Sequence, residues 1–477
     1  MNLNEWFLLF LSFNLIIFGG SYKLFKLAGV EGWKSLIPIY NIVKHLDIIN
    51  RPRWWAILVF IPVINLLMIP VIWIEFIKTF NHNSKLDRLL VIFTLGFYIY
   101  YISYLSSKTK YIGKISFSNF EKSIGSFIWA IVFATIVHNY ILQPFVIPTG
   151  SLEKTLRVGD FLLVSKFHYG ARIPSTVLSF PMVHDTIPII KSRSYLNKPQ
   201  LPYLRIPGFQ EIKNNDIVVF NWPADTVRKF FVKEKGVIKP RDKKSNYVKR
   251  AIGIPGDTLE IKDGVIYLNG IKNILPDRAK PLFTYLIKSN KGVSSSKLIK
   301  LEIDGFIRKF IISNLSNDSY TEISKYILNI SNTKENEYVV YTYDKGIPID
   351  VVREYGLDIR EIIDNKKELN LTYVDAIKIK NSNEFDTIYR LTERINVSNS
   401  NFFPNNKRFR WNNDQLGPLY IPRAGDKIDL SISSLPLYKK IITDYEYNEL
   451  SVVEGDILIN GKVEQEYIFK QDYYWMM

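Results

Sequence analysis

Hydrophobic residues are concentrated in the first third of the chain, where four long stretches lack Asp, Glu, Lys and Arg. These stretches are residues 6–22, 54–74, 89–107 and 123–152. A helix that crosses a bilayer needs about 17–25 apolar residues. The pattern therefore predicts a multi-spanning α-helical membrane domain with four crossings, or three crossings and one re-entrant segment. Pro144 and Pro148 shorten the fourth helix, which should end near Leu142.

Basic residues between these stretches predict the orientation of the helices. They lie between the first and second stretches and between the third and fourth: Lys23, Lys26, Lys34, Lys44, Arg51 and Arg53, then Lys108, Lys110, Lys114 and Lys122. Because Lys and Arg accumulate in cytoplasmic loops, we expect both loops to be cytoplasmic. The N-terminus and everything after Leu142 then lie outside. The connection with Lys78, Lys85 and Arg88 is mildly basic and fits this orientation less well.

A different pattern follows Pro148, with short alternating runs separated by turns, which is typical of β-structure. Strands are predicted at 161–164, 217–220, 247–252, 258–261 and 265–268. The dipeptides Asp263-Gly264 and Asn269-Gly270 are strong hairpin signals, and residues 455–461 weakly repeat this chemistry.

The region 277–413 is rich in Lys, Asn and Ser, with helical patches at 319–330 and 351–366. We interpret it as an inserted α+β cap, or equally as a surface elaboration without function, and we expect it to contribute nothing to the chemistry. The predicted domains are a membrane domain of about three helices at 1–122, a further membrane helix at 123–147, a β-domain core at 148–276, the insertion at 277–413 and a truncated return to the core at 414–477.

Composition narrows the possible functions. The chain has 477 residues, a formal net charge of +16 and no cysteine, which excludes disulfides, thiolate metal sites and a cysteine nucleophile. The basic residues are spread over loops rather than gathered in a run with aromatic residues, so the charge does not indicate nucleic-acid binding. Attraction to anionic lipid headgroups explains it better, because the charge adjoins the apolar stretches.

Candidate chemistry begins at the junction between the apolar part and the β-rich part. Ser151 follows an extended apolar run on a turn punctuated by Pro148 and Gly150. This is the place for an exposed nucleophile, although most serines in such turns only satisfy the backbone. Of the five histidines, only His168 and His184 lie clearly in the polar half, and neither belongs to a recognisable triad. No His-Glu-x-x-His motif is present, which argues against a zinc protease.

A lysine can replace histidine as the base when burial lowers its pKa. The best candidate is Lys249, which lies on the apolar run 247–252 rather than in a charged loop. Strand alternation directs Tyr247, Lys249 and Ala251 to one face of the sheet. An isolated lysine on a strand is more often a solvated edge residue.

Together, the two segments closely resemble the signal peptidase I family. Its nucleophile box reads Pro-Ser-Gly-Ser-Met-x-Pro-Thr-Leu and its lysine box Lys-Arg-x-x-Gly-x-Pro-Gly-Asp, against residues 148–156 and 249–257 here. Residues 159–170 match the family's Gly-Asp…Val-x-Lys…Tyr-Gly run, and 215–220 match its Gly-Asp-Ile-Val-Val-Phe strand. The long N-terminus and the insertion are similar to those of the larger Bacteroidetes-type members.

The resemblance implies a serine endopeptidase with a Ser/Lys dyad and no cofactor or metal. Ser151 would be the nucleophile and Lys249 the general base, with an oxyanion hole formed by the Ser151 N–H and the Thr149 hydroxyl. Residues aligned with the family's shallow side-chain pockets are Phe145, Ile147, Leu152, Tyr247 and Val248. Preprotein signal peptides would bind as an added strand, at the outer face of the cytoplasmic membrane. The other implied partners are the bilayer and the protein-export machinery.

Several positions depart from the family pattern. Thr149, Leu152 and Lys154 replace Ser, Met and Pro, and Asn215 replaces a glycine. The family continues with Gly-Asp-Asn-Arg after a run like 473–477, where this sequence stops. We therefore expect a fragment or frameshifted product, or a missing part supplied separately. The alternative functions are an impaired homologue that acts as a membrane binding or scaffold protein, and a self-cleaving repressor-type peptidase, which the membrane segments disfavour.

Overall fold

A computed structural model describes residues 3–113, 115–223, 239–334 and 336–477. Lys114, one of the basic residues used to predict orientation, and residues 224–238 of the predicted β-domain core lie outside the described residues. The chain divides into two compact units. The first unit comprises residues 1–148 and 158–251, and the second comprises 149–157 and 252–477. The five predicted domain boundaries stay predictions.

The first unit contains most of the helices. The α-helices of the whole chain are α1 Leu3–Leu27, α2 Tyr40–Ile48, α3 Trp55–Phe60, α4 Asn65–Thr79, α5 Lys85–Phe93, α6 Tyr98–Tyr100, α7 Asn119–Ile136, α8 Ser295–Lys300, α9 Asn317–Ile323, α10 Ile349–Glu354, α11 Tyr373–Asn381 and α12 Leu435–Lys440. Wider π-turns extend three of them, at Tyr101–Leu105, Val137–Ile141 and Ile441–Tyr445.

The strands lie mainly after residue 141. They are β1 Leu142–Val146, β2 Phe161–Ser165, β3 Ile217–Asn221, β4 Asn246–Gly253, β5 Thr258–Lys262, β6 Val265–Leu268, β7 Ile271–Lys272, β8 Phe283–Lys288, β9 Ile307–Ser313, β10 Ile327–Lys334, β11 Glu337–Tyr343, β12 Asp358–Glu361, β13 Lys366–Leu371, β14 Thr387–Arg390, β15 Leu416–Tyr420, β16 Lys427–Asp429, β17 Leu450–Val453, β18 Asp456–Ile459, β19 Lys462–Val463, β20 Glu466–Ile468 and β21 Trp475–Met476.

The second apolar stretch is not one helix but a helical hairpin of α3 and α4. The helices are interrupted around Pro62, and the next residue, Val63, has a φ of 71°, a conformation that reverses a chain and that a helix does not contain. The reversal brings Glu75 back to Arg51, which donates two hydrogen bonds of 2.7 Å to its carboxylate. Both ends of the stretch therefore lie at the same end of the helical core.

The third apolar stretch is also a hairpin, formed by α5, α6 and the π-turn that follows. Leu95 and Gly96 have φ values of 50° and 89°, and they turn the chain between the two arms. The hairpin is closed at its base by His82, whose Nε2 lies 3.3 Å from Ser106 Oγ and 3.1 Å from Thr109 Oγ1.

In the described part of the chain, one helix is long and apolar enough to cross a bilayer, Asn119–Ile141. The first apolar stretch passes the same test only as a pair of helices, Asn4–Ile17 and Gly19–Leu27, bent by 45°. The prediction that the fourth helix ends near Leu142 is confirmed, because β1 begins at that residue. The prediction of four crossings is not confirmed, because the second and third stretches turn back on themselves.

All five predicted strands are confirmed to within two residues as β2 to β6. Asp263, Gly264, Asn269 and Gly270 all have positive φ values between 50° and 80°, as the two-residue hairpin turns expected here require. Residues 455–461, which weakly repeat this pattern, also form hairpins, since β17 pairs with β18 and β18 with β19.

The region 277–413 is built from two small sheets with helices. One sheet has the order β13-β8-β14 and the other β10-β11-β9-β12, so its α+β character is as expected. The two predicted helical patches are wrong over much of their length. The patch at 319–330 is a short helix ending at Ile323 followed by strand β10, and the patch at 351–366 is a helix ending at Glu354 followed by β12.

Candidate active site

The segment that carries Ser151 directly follows β1, and the pairing of β1 with β2 continues for one residue beyond the strand, at Ile147. Strand β1 pairs with β2, and beyond it the Ile147 N–H donates to Asp160 O at 3.0 Å while Ile147 O accepts from Gly159 N–H at 2.9 Å. Ile147 is buried, with 3% of its surface exposed. This pairing holds the chain extended up to the point where the next residues turn.

Ser151 lies at the centre of a single 3-10 turn, Gly150–Leu152, in the second unit. The turn continues through hydrogen bonds from Glu153 N–H to Gly150 O at 3.0 Å and from Leu156 N–H to Leu152 O at 2.7 Å. The Ser151 side chain is exposed, and within the described ranges its hydroxyl has no hydrogen-bond partner. The hydroxyl is therefore accessible to a substrate, as a nucleophile must be.

Lys249 lies in the middle of β4, opposite Val218 of β3. Its side chain is half-buried, and no hydrogen bond or ion pair reaches it from any described residue. Burial lowers the pKa of the Lys249 ammonium below its ordinary value of 10.5, because removal from water disfavours the charged form. Its neighbours on the same face are Tyr247, whose ring centroid is 4.9 Å from that of Trp222, and Ala251, which is fully buried.

The opposite face of β4 explains the arginine that follows Lys249. The buried Arg250 donates a 2.6 Å hydrogen bond to Asn215 O. Asn215 has a φ of 73°, a left-handed conformation that Asn tolerates better than most residues, which is why it can stand in place of a glycine. The next residue, Asp216, accepts from the Tyr169 hydroxyl at 2.8 Å. Three of the motif segments are thus linked by direct contacts within the first unit.

The end of the lysine box closes on itself in the second unit. Asp257 accepts a 3.0 Å hydrogen bond from Ile254 N–H and a 2.9 Å bond from Asn269 Nδ2. Gly256, which lies between Ile254 and Asp257 in this turn, has a φ of 94°, which an L-residue rarely adopts. The Gly-x-Pro-Gly-Asp part of the motif is therefore a turn that starts the β5–β6 hairpin, and the Asp257 carboxylate stabilises this turn.

The predicted site residues divide between the two units. Phe145, Ile147, Tyr247, Val248 and Lys249 belong to the first unit, and Thr149, Ser151 and Leu152 belong to the second. The dyad, the oxyanion hole and the substrate pockets stay predictions.

Among the described residues of the first unit, two further lysines have lowered pKa values, and the sequence analysis did not propose either as a site residue. Burial, together with the nearby Arg172 and Arg205 guanidinium groups, lowers the pKa of Lys166 to about 8. The Lys166 ammonium lies 5.8 Å from the centre of the Phe145 ring. Lys166 directly follows β2 and is the lysine of the Val-x-Lys motif within residues 159–170, but the motif match alone assigned it no role.

The second is Lys243, which forms a buried serine–lysine pair. Its ammonium donates to Ser179 Oγ at 2.6 Å and to Val183 O at 3.2 Å, and burial lowers its pKa. Lys243 and Ser179 are 8% and 6% exposed. A peptide carbonyl has no access to a serine buried this deeply, so this pair is structural and does not compete with Ser151.

The inserted region contacts the segment that carries Ser151, and the expectation that it contributes nothing to the chemistry stays a prediction. Lys154 forms an ion pair with Asp304, and Thr155 Oγ1 donates to Arg278 O at 3.2 Å. All four residues belong to the second unit. No local feature of the sequence signals this contact, because its partners are more than one hundred residues apart.

Comparison with known proteins identifies two regions of the chain. Residues 121–298 match the family described as signal peptidase, peptidase S26. The predicted relationship to the signal peptidase I family is thereby confirmed for this region, which we call the S26 region. It contains both Ser151 and Lys249. Residues 33–114, with both helical hairpins, match a family of unknown function.

Individual relatives of the S26 region are signal peptidases of Rickettsia. The chain is 32% identical over 148 residues to the signal peptidase I of Rickettsia massiliae, covering 31% of this chain and 42% of that protein. It is 31% identical over 152 residues to the signal peptidase I of Rickettsia typhi, covering 32% of this chain and 44% of that protein. The chain thus spans less than half the length of the curated relatives it matches. No solved structure matches the chain.

Proposed function

We propose that this protein is a signal peptidase I that cleaves signal peptides from exported preproteins with Ser151 and Lys249. The observation that carries the proposal is the environment of Lys249, a half-buried lysine on an apolar strand with a lowered pKa and no described anionic partner. A lysine needs these properties to act as a neutral base near physiological pH. The S26 assignment and the exposed, unpartnered hydroxyl of Ser151 support the same conclusion.

In the proposed reaction, neutral Lys249 Nζ accepts the proton of Ser151 Oγ as the oxygen attacks the scissile carbonyl carbon. The carbonyl oxygen becomes an oxyanion, which the Ser151 N–H and the Thr149 hydroxyl stabilise by hydrogen bonds. The C–N bond then breaks, and protonated Lys249 gives its proton to the departing amine of the mature protein. Lys249, neutral again, accepts a proton from water as the water oxygen attacks the ester carbonyl carbon of the acyl-enzyme. The ester C–O bond to Ser151 Oγ then breaks, Lys249 returns the proton to Ser151 Oγ, and the signal peptide leaves as a carboxylic acid.

The hydrogen bonds of β1 favour one edge of that strand for an extended substrate. The N–H and C=O groups of Ile147 are already bonded to Asp160 and Gly159, so they are not available to a new strand. The peptide groups of Val146 point to the other side of the strand, because successive residues alternate. A substrate strand would therefore add along the Val146 edge, with Phe145, Ile147, Leu152, Tyr247 and Val248 proposed to form the shallow pockets for small side chains.

We further propose two membrane crossings, α1 and the helix Asn119–Ile141, with both helical hairpins entering from the cytoplasmic side. Trp6 Nε1 donates to Gln200 O at 2.8 Å, which supports placing the N-terminal end of α1 on the same side as the polar part. Arg51, Lys78 and Arg88 gather at the opposite end of the helical core, as cytoplasmic basic residues do. The catalytic region would then face the outer side of the cytoplasmic membrane, where the bilayer and the export machinery are the proposed partners.

The proposal is tested by incubating the full chain, in lipid vesicles, with a preprotein carrying an Ala-x-Ala site and sequencing the new N-terminus. We expect cleavage after the second alanine, and loss of at least a thousandfold in rate for Ser151→Ala and for Lys249→Met. Ser400→Ala and Lys272→Met are matched controls, because both side chains are exposed and outside the site. Cleavage that survives in Lys249→Met would refute the dyad. Signal-peptide binding without cleavage by the unaltered chain would indicate a binding protein instead.

A further inference from the structure

The inserted region is joined to the nucleophile turn, defined here as residues 149–157. The two contacts are the Lys154–Asp304 ion pair and the hydrogen bond from Thr155 Oγ1 to Arg278 O. Lys154 is three residues after Ser151. Only Glu153 separates it from the 3-10 turn Gly150–Leu152. A restraint on Lys154 therefore acts close to the serine hydroxyl.

Asp304 is held in place by the residues around it. It lies between α8 and β9, and its neighbours Ile303 and Phe306 are 3% and 4% exposed. Both belong to one hydrophobic cluster that also contains Leu298 and Leu371. Two buried anchors on either side give the Asp304 carboxylate a fixed position, from which it can orient a mobile partner.

Lys154 is held less firmly by its own backbone. It has a φ of 65°, a conformation that costs a non-glycine residue free energy, so another interaction must support it. Its side chain is only 17% exposed against 44% for Asp304, and the Asp304 Oδ1 atom is shielded from solvent. An ion pair that is partly removed from water is stronger than an exposed one. Arg157 adds a second positive charge, 3.8 Å from Asp304 Oδ2.

We propose that Asp304 is a positioning residue for the peptidase reaction and that it fixes, through Lys154, the turn that presents Ser151. This inference rests on the proposed role of Ser151. It assigns a task to the inserted region. Because proline fixes φ near −65°, the backbone of Lys154, with its φ of 65°, is incompatible with the proline of the family pattern, and a charge contact with a distant segment holds it instead.

Steady-state cleavage by the full chain tests this role with the variant Asp304→Asn. We expect kcat to fall roughly tenfold with KM nearly unchanged, because a displaced nucleophile slows the chemical step more than substrate binding. Glu302→Gln is the matched control. Glu302 lies in the same turn but pairs with Lys378 of the inserted region, at 3.5 Å. In the exchanged pair, Lys154→Asp with Asp304→Lys, the two charges are swapped and the ion pair is kept. Its kcat should lie within about threefold of that of the unaltered chain, since Asp at position 154 tolerates a positive φ better than most residues.

Hydrogen exchange gives a readout that does not depend on activity. In a Ser151→Ala background, Asp304→Asn should speed exchange in the peptide covering 149–157, where the amides of Glu153, Thr155 and Leu156 are hydrogen-bonded, and Glu302→Gln should not. Unchanged exchange, unchanged kcat, or failure of the exchanged pair to recover would each overturn the positioning role. Full cleavage by Ser151→Ala would overturn the proposed function instead, and the exchange result would still report on the contact.

Discussion

Glu121 joins helix α7 to both helical hairpins through ion pairs with Lys78 of α4 and Arg88 of α5, and Glu121→Gln should weaken this connection. Its carboxylate oxygen lies 2.9 Å from the Lys78 ammonium and 2.9 Å from the Arg88 guanidinium. The other oxygen accepts from Ser118 N–H at 2.9 Å and caps α7. Glutamine can preserve this capping box with its single oxygen, which turns its NH2 group toward Lys78 and Arg88. The substitution therefore removes the charge and the acceptor of both cations while it keeps the cap.

The magnitude follows from the burial of the partners. Lys78 is 3% exposed and Glu121 is 19% exposed, and Lys78 also lies 4.5 Å from the centre of the Phe117 ring. Removing one partner of a buried ion pair costs about 3–5 kcal/mol, because the other charge stays buried alone. Since Glu121 is partly exposed, we expect a loss of about 2–3 kcal/mol, which corresponds to a fall of roughly 5–10 °C in the unfolding midpoint for a unit of this size.

Thermal unfolding of the full chain in detergent measures this loss. Tryptophan fluorescence is a suitable signal, because Trp129 of α7 packs against Trp55 with ring centroids 5.0 Å apart. Lys122→Gln is the control, since Lys122 is exposed and no described residue pairs with its side chain. The double variant Lys78→Met with Glu121→Gln should recover more than half of the loss, because it removes the buried ammonium that Glu121→Gln alone leaves without a counter-charge. Equal midpoints for Glu121→Gln and Lys122→Gln would refute the reasoning.

Three other outcomes are expected. As the pH is lowered, the cleavage rate should fall because Lys249 becomes protonated, and the midpoint of this fall should lie below the ordinary lysine pKa of 10.5. A rate that does not change with pH below 10.5 would contradict a neutral lysine base. Because the pKa of Lys166 is about 8 when folded and about 10.4 when unfolded, the unfolded chain binds more protons between these values. The free energy of unfolding should therefore rise with pH across that window, and Lys166→Met should remove its contribution to the rise in urea titrations; an unchanged slope would count against the burial of this group. Lys243→Met should lower the free energy of unfolding by about 1–3 kcal/mol, because it removes the donor whose hydrogen bond the buried Ser179 Oγ accepts, while cleavage by the folded enzyme stays unchanged; a parallel loss of kcat would show that the pair acts in catalysis.

The sequence predicted the β-rich part well because its signals are local. Turn dipeptides such as Asp263-Gly264 state both the position and the type of a hairpin, and alternation then defines the flanking strands. The same holds for the face of β4 that carries Lys249, since alternation alone assigns it. Motif order was equally local, and it was sufficient to identify the S26 region.

Hydropathy predicted spanning helices wrongly where backbone turns, rather than composition, determine the path of the chain. The stretch 54–74 is apolar enough for a spanning helix, but Val63 and the chain around Pro62 reverse its direction, and Leu95 and Gly96 do the same in the next stretch. A count of apolar residues contains no information about such turns. The return contacts that close the hairpins, Arg51 with Glu75 among them, join residues too far apart for any local pattern.

Contacts between distant segments were also beyond prediction at the candidate site. Lys154 lies in a motif position, yet its partner Asp304 is in a region that composition describes as a polar surface. The lowered pKa of Lys166 arises from burial beside Arg172 and Arg205, which only the folded chain brings together. The sequence therefore predicted the candidate reacting groups, whereas the residues that contact and support them could be identified only in the folded chain.

The central claim is that Lys249 acts on the hydroxyl of Ser151, and a single thiol tests it most directly. Because the chain has no cysteine, the thiol introduced by Ser151→Cys is unique, and its alkylation rate as a function of pH reports its pKa. A neighbouring ammonium stabilises the thiolate, so the account predicts a thiol pKa lower by roughly one unit or more in Ser151→Cys than in Ser151→Cys with Lys249→Met. Identical alkylation profiles for the two variants would contradict the account.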